Sequence, residues 1–273
     1  MAMAWMMIHL ALGLVLIHTA AAACPPAFTQ YITAPSYVNP CSIDNSACAW
    51  YSFSNGADTV IVNPASGPGT AVDSNYASLV NTIRAREPSG ATFITSILGY
   101  VATTYGAKSL TAAKAEIDKY NTFYKVDGIF FDEVSTDCAK TSYYATLVQY
   151  VQSHTKSPSG QDYTILNWGT NGPECFLKTT PSADNFVTFE GNYSQYQSYA
   201  PLSYMTSYAP ARWYNIVYNV TQANVVSTVL KSKYNRAGWV YVTNDDSPNP
   251  FDTAPKPYTT YWQAEVNKVA RTC

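Results

Sequence analysis

Eight short β-rich runs, most of them separated by helical patterns, constrain this 273-residue chain more than any other feature. The runs fall at 31–38, 59–63, 92–101, 127–132, 163–167, 185–190, 203–208 and 238–243. Several are apolar almost throughout, as in Val60-Ile61-Val62 and Gly128-Ile129-Phe130-Phe131. Strands buried on both faces read this way, and such strands belong to parallel sheets covered by helices. Between the runs, 74–86, 109–124, 141–154 and 221–234 place apolar residues three and four apart, the spacing of an amphipathic helix. The stretches after the first, fifth and sixth runs are weaker, so short or irregular helices are expected there. Together these features predict a single TIM-type (β/α)8 barrel. The rival is an open doubly wound sheet, which binds nucleotides through a Gly-rich loop after its first strand. Here the first run continues as Val38-Asn39-Pro40-Cys41, with no such loop. No linker, repeat or low-complexity tract divides the chain, so one catalytic domain is expected over 24–273.

Residues 1–23 carry no charged side chain, hold an apolar run at 8–17 and end in Ala21-Ala22-Ala23. They read as a cleaved secretory signal, and no later segment is long and apolar enough to span a bilayer. The expectation is therefore a secreted, extracellular or wall-associated protein, monomeric and without a membrane span. Six cysteines follow the predicted cut, an even number that fits three disulfides in an oxidising compartment. The sequons at Asn192 and Asn219 are the candidate glycosylation sites. Lys and Arg number 16 against 18 Asp and Glu, which argues against a phosphate-binding nucleic-acid protein. The 23 tyrosines with only 12% charged residues suit a polar, uncharged ligand such as a sugar. One histidine, His154, remains after the signal, so a His-rich metal centre is excluded; its polar setting, Ser153-His154-Thr155-Lys156, suits a solvated helix end. No metal and no cofactor are expected.

Barrel active sites lie at the carboxyl ends of the strands. The fourth run ends in Phe130-Phe131-Asp132-Glu133, where two adjacent acids follow an apolar stretch that makes them costly to bury without a purpose. Side chains alternate on a regular strand, so only one of the pair is expected to face the barrel axis. The sixth run ends in Thr188-Phe189-Glu190, and alternation puts Glu190 on the axial face with Thr188. The eighth ends in Asn244-Asp245-Asp246, where helix capping explains the acids equally well. Carboxylates facing one cleft, with no histidine, thiol or metal cluster to assist, are the minimal equipment of a glycoside hydrolase. Tyr37, Asn63, Tyr100, Asn167, Tyr208 and Asp245 are the candidate substrate-binding residues.

Four segments carry a resemblance to a known family. Val62-Asn63-Pro64-Ala65-Ser66-Gly67-Pro68-Gly69, Leu98-Gly99-Tyr100-Val101-Ala102-Thr103-Thr104-Tyr105-Gly106, Gly128-Ile129-Phe130-Phe131-Asp132-Glu133 and Val240-Tyr241-Val242-Thr243-Asn244-Asp245 resemble the ordered motifs of the spherulin-4 family. The resemblance extends from Tyr31 to Trp262 and implies a (β/α)8 barrel. It also implies glycoside hydrolysis of a galactosaminogalactan-like polysaccharide within its N-acetylgalactosamine-rich regions. The implied catalytic residues are Asp132, Glu133 and Glu190. Retention is the expected outcome, with Glu190 or Glu133 as nucleophile and the other as acid/base. A route in which the substrate acetamido group attacks, oriented by Asp132, is the variant. The alternative is a wall or spore-coat protein that binds polysaccharide without turnover. The chain departs from the family pattern in its additional cysteines and at Leu166-Asn167-Trp168-Gly169, where Asn-Pro-Gly is expected. Barrel geometry favours pairing Cys41–Cys48, Cys138–Cys175 and Cys24–Cys273, one of 15 possible connectivities.

Overall fold

The computed structural model describes residues 27–90, 93–155 and 157–270. In it, eight parallel strands follow one another around a closed ring. They are β1 (Tyr31–Pro35), β2 (Thr59–Val62), β3 (Ser96–Ala102), β4 (Gly128–Asp132), β5 (Tyr163–Asn167), β6 (Asn185–Asn192), β7 (Trp213–Tyr218) and β8 (Trp239–Val242). Pairing of Tyr31 with Trp239 and of Ile32 with Val240 closes the ring. The expected (β/α)8 barrel is therefore the fold, and its strands are apolar because helices cover the face that does not pack into the barrel. The predicted signal and the predicted Cys24–Cys273 bridge lie outside the described residues. No helix among the described residues is long and apolar enough to cross a membrane.

The long outer helices are α2 (Ser74–Arg86), α3 (Leu110–Phe123), α4 (Thr141–His154) and α7 (Val225–Tyr234), matching the four periodic segments. The starts of α2 and α3 are set by side-chain caps: Asp73 accepts from the N–H groups of Asn75 and Tyr76, and Ser109 accepts from that of Ala112. The remaining helices, α1 (Ala49–Ser54), α5 (Cys175–Lys178), α6 (Tyr193–Ser198) and α8 (Gln263–Ala270), are short. Three of these four fall after β1, β5 and β6, where the helical pattern was weakest. His154 ends α4, exposed and stacked on Tyr150 at 3.8 Å, as its polar surroundings predicted. Disulfides join Cys41 to Cys48 and Cys138 to Cys175, each with its Cα atoms 5.9 Å apart.

One strand lies elsewhere than expected. Residues Ser203–Ser207 form a 3-10 turn with Met205 buried, and the seventh strand is Trp213–Tyr218. Asn215 interrupts the apolar run Trp213-Tyr214-Asn215-Ile216-Val217 that would otherwise mark this strand. The fold satisfies that buried amide with side chains remote in sequence: Tyr196 donates to it at 2.9 Å, and it donates to Thr188 at 3.0 Å.

Three carboxylates, one fully buried and two partly so, tie the amino-terminal end of the ring together. Asp58, Asp127 and Asp184 immediately precede β2, β4 and β6. Each accepts from the N–H of the second residue of the preceding strand: Ile32 at 2.8 Å, Ile97 at 2.7 Å and Thr164 at 2.8 Å. Asp127 is fully buried and is also paired with Arg84. A buried carboxylate such as Asp127 is tolerated only when charge and hydrogen bonds satisfy it, and the three aspartates clamp β1 to β2, β3 to β4 and β5 to β6. Removing one partner of such a pair leaves the other uncompensated. Asp127→Ala is expected to lower unfolding stability by about 3 kcal/mol, measured by urea denaturation. A change within about 0.5 kcal/mol, typical of an exposed site, would show the clamp to be dispensable.

Candidate active site

At the opposite, carboxyl-terminal end of the ring, β4, β5 and β6 are consecutive neighbours, so whatever ends them meets at the mouth. β4 ends on Asp132, β5 on Asn167, and β6 carries Glu190 two residues before its end. Asn167 is the link between the acids. Its Nδ2 donates to Asp132 Oδ1 and to Glu190 Oε2, both at 2.7 Å. Its Oδ1 accepts from the Gly169 N–H at 2.8 Å, which orients the amide with its nitrogen toward the carboxylates. Those two carboxylate oxygens are therefore no further apart than twice 2.7 Å, or 5.4 Å.

Asp132 accepts a second bond from the Tyr100 hydroxyl, at 2.7 Å. Beneath it, Tyr37 packs edge-on against Tyr100 at 5.5 Å and Phe251 at 5.6 Å. Burial, then the adjacent Asp132 charge, pushes the Tyr37 hydroxyl well above the ordinary tyrosine range. The same two causes, in the same order, raise that of Tyr100. Both phenols thus stay protonated, and Tyr100 serves as a donor. Glu190 is pushed up to about 7, chiefly by burial and next by the Asp132 charge, against the lowering effect of the Asn167 hydrogen bond.

Glu133 reaches the same cleft by a break in the strand. On a regular strand it would leave on the face opposite Asp132, but its φ of 51° turns the chain into the left-handed region. Asp132, Glu133 and Glu190 accordingly line one cleft of about 300 Å3. No hydrogen bond or ion pair to the Glu133 carboxylate forms among the described residues. Its backbone is held instead: its carbonyl accepts from Tyr105 N–H at 2.7 Å and lies 2.8 Å from the buried Thr103 hydroxyl. β6 also departs from strict alternation. Its register with β7 shifts between Val187 and Phe189, so Thr188 bulges and the Glu190 N–H donates to Gly169 at 2.9 Å.

The structure thus gathers Asp132, Glu133, Glu190 and Asn167 at one cleft, with Tyr100 and Tyr37 supporting them. It does not bring Asn63, Tyr208 or Asp245 to the cleft lining. Asn63 organises the loop after β2 by accepting from Gly67 N–H at 2.8 Å. Tyr208 follows the 3-10 turn rather than ending a strand, and it donates to Glu174 at 3.0 Å. Asp245 accepts from Thr253 at 2.8 Å and steadies its own loop. Of the two sequons, Asn192 caps α6 through Gln195 N–H, whereas Asn219 is exposed and donates to Asp246 at 2.8 Å. Tyr105, Trp168 and Tyr218 line the cleft without having been singled out as site residues. Tyr105 lies inside the 98–106 motif and Trp168 inside the 166–169 departure from the family pattern, but Tyr218 ends the strand that the sequence pattern misplaced. Among the described residues no three His, Cys, Asp or Glu side chains are grouped so that they could hold a metal ion.

A closed (β/α)8 barrel with three acids at its carboxyl-terminal mouth is an architecture that glycosidases also use. This chain belongs to spherulation-specific family 4, whose model matches residues 31–269. It is 30% identical over 256 residues to Spherulin-4 of Physarum polycephalum, covering 88% of this chain and 70% of that one. Among solved structures it superposes on Aspergillus clavatus Sph3 in complex with GalNAc with a TM-score of 0.70. The identity is 23%, over 89% of this chain and 98% of that one. A family GH18 chitinase from Chromobacterium violaceum shares the barrel more distantly, with a TM-score of 0.52 and 12% identity over 90% and 85% of the two chains.

The raised Glu190 pKa has a consequence for stability. A carboxyl whose folded pKa exceeds its unfolded value contributes fully below the unfolded pKa, and that contribution is lost as pH rises through the folded one. For Glu190 the loss runs from its ordinary value of 4.5 to about 7. Glu190→Gln is therefore expected to match wild type at pH 4 and to be more stable at pH 8, by about 3 kcal/mol. Thermal or urea unfolding at the two pH values measures this; a variant equally stable or less stable at pH 8 contradicts a strained, ionised Glu190.

Proposed function

We propose that the protein is a secreted retaining glycoside hydrolase that cleaves internal bonds of an N-acetylgalactosamine-containing polysaccharide. The observation that carries the reading is the Asp132–Asn167–Glu190 bridge, which sets a carboxyl with a pKa of about 7 beside a second carboxylate in an open cleft. A glycosidase needs one carboxyl protonated at working pH and another ionised, and environments that separate their pKa values assign the roles. Glu190 is the acid/base, donating its proton to the departing glycosidic oxygen and later taking one from water. Glu133, which lines the cleft without a protein partner, is the nucleophile that forms and then releases the glycosyl ester. Asp132 is held by Tyr100 and Asn167 and keeps the proton on Glu190 through its charge. Membership of the family and the GalNAc in the Sph3 complex support the choice of sugar. The two disulfides suit an extracellular protein.

Reducing-end release from N-acetylgalactosamine polysaccharide, with chitin, glucan and pectin as controls, tests the activity. Glu133→Gln and Glu190→Gln are each expected to lose on the order of a thousandfold in kcat/KM. Glu190→Ala is expected to recover turnover on an aryl glycoside, whose leaving group needs no proton, whereas Glu133→Ala is not. Polysaccharide binding without turnover, unchanged in these variants, would replace the enzyme with a coat-type binding protein.

The pH profile follows from the same assignment. Activity requires protonated Glu190, so kcat/KM is expected to fall as pH rises through about 7. Asp132→Asn removes one of the two causes that raise this pKa, and its alkaline limb is expected at lower pH. An alkaline limb unmoved by that substitution would separate Asp132 from Glu190.

A further inference from the structure

The mouth of the barrel carries two aromatic side chains that the acid chemistry does not use. Tyr105 follows β3 and is 65% exposed, the most exposed of the large apolar side chains among the described residues. Tyr218 ends β7 and is half-buried. In a ring of eight strands β3 and β7 are four places apart, so the two residues stand on opposite lips of the cleft they both line. The acids lie between them, on β4 and β6.

The position of Tyr105 is imposed by the backbone. Thr104 and Tyr105 have φ values of 51° and 53°, two successive residues in a region that β-branched and bulky side chains rarely enter. The chain is held there by contacts with the loop after β4. Tyr105 N–H donates to the Glu133 carbonyl at 2.7 Å, and Lys140 Nζ donates to the Gly106 carbonyl at 3.2 Å. Thr103 lies within hydrogen-bond distance of the Asp132 and Glu133 carbonyls and of the Tyr144 hydroxyl. Uncommon backbone conformations persist where surrounding structure over-determines them, and they gather at binding and catalytic sites. Here the result is an aromatic ring exposed to solvent and coupled through the main chain to a candidate catalytic acid. The opposite lip repeats the device: Asn219, directly after Tyr218, has a φ of 53° and donates from its N–H to the Asp245 carbonyl at 2.7 Å.

We propose that Tyr105 and Tyr218 are the sugar platforms on either side of the cleavage point, so that a glycan chain lies across the mouth from the β3 lip to the β7 lip. Pyranose rings present a C–H face that packs on an aromatic ring, while the phenol oxygen remains free to bond a sugar hydroxyl. A platform on each side holds the chain within its length and makes the enzyme's efficiency depend on sugars beyond the two that flank the broken bond. This rests on the glycosidase reading and adds its mode of substrate binding.

The test compares an N-acetylgalactosamine disaccharide with the hexasaccharide, using wild type and the variants Tyr105→Ala, Tyr105→Phe and Tyr218→Ala, each with its melting temperature checked. Wild type is expected to have the higher kcat/KM on the hexasaccharide. Tyr105→Ala and Tyr218→Ala are each expected to lower the hexasaccharide-to-disaccharide ratio by on the order of tenfold, through KM; tenfold corresponds to about 1.4 kcal/mol. Tyr105→Phe keeps the ring and is expected to keep the ratio. Tyr218→Ala reads the opposite lip independently should Tyr105→Ala not fold. A ratio unchanged in the alanine variants, or a wild type indifferent to chain length, overturns the platforms and leaves the glycosidase reading standing. Failure of wild type to cleave either oligosaccharide overturns both.

Discussion

Asp132 and Glu190 share a single amide nitrogen, that of Asn167, at 2.7 Å each, and much of the barrel's mouth is arranged to make this contact possible. Two carboxyls this close resist ionising together, so one retains its proton to a higher pH than it otherwise would. The amide donor offsets part of that cost and fixes the separation. It is itself fixed by Gly169, whose N–H occupies the amide oxygen and whose carbonyl holds the Glu190 backbone. The arrangement requires β4, β5 and β6 to be adjacent and in register. Pairing of Phe131 with Leu166 and of Asn167 with Val187 supplies that register.

The same functional group does opposite work at the two ends of the ring. At the amino-terminal end, Asp58, Asp127 and Asp184 spend their oxygens on strand N–H groups and neighbouring side chains. Their contribution is to hold strand pairs together, and at Asp127 both oxygens are engaged by protein donors. At the carboxyl-terminal end, Asp132, Glu133 and Glu190 face an open cleft and are only partly satisfied by protein donors. The closed barrel permits this division, because stability is supplied at one face while the other is left to loops. The Cys138–Cys175 bridge lies on the site side, joining the loop after β4 to the start of α5. Nearby, Phe176 packs against Trp168 at 5.4 Å, behind the cleft wall.

Much of this was legible along the chain because barrel strands and their covering helices are patterned locally. Residues 74–86 and 141–154 are helical to the residue, and Tyr163–Asn167 is a strand with the expected limits. The misreading of the seventh strand has a specific cause. The β-rich run at 203–208 folds as a 3-10 turn over Ser203–Ser207, with the carbonyl of its buried Met205 accepting from Trp213 Nε1 at 3.1 Å. The true strand hides a polar Asn215 that only remote partners can satisfy. Tyr208 was placed by that misreading, and Tyr218 was missed because of it.

The sequence by itself determined the barrel and the three acids, since both rest on near-neighbour regularities: apolar runs of strand length, helical periodicity, and carboxylates where a strand ends. Only the tertiary structure decided how those acids are placed relative to one another. Whether Asp132 and Glu133 point into one cleft depends on a single left-handed residue, held by a carbonyl contact to Tyr105 in the preceding loop. Whether Glu190 keeps a proton near neutrality depends on its burial and on an aspartate 58 positions away in the chain. Burial and charge act through space over a few ångströms, and no local pattern of residues encodes which side chains the closing ring will bring within that range.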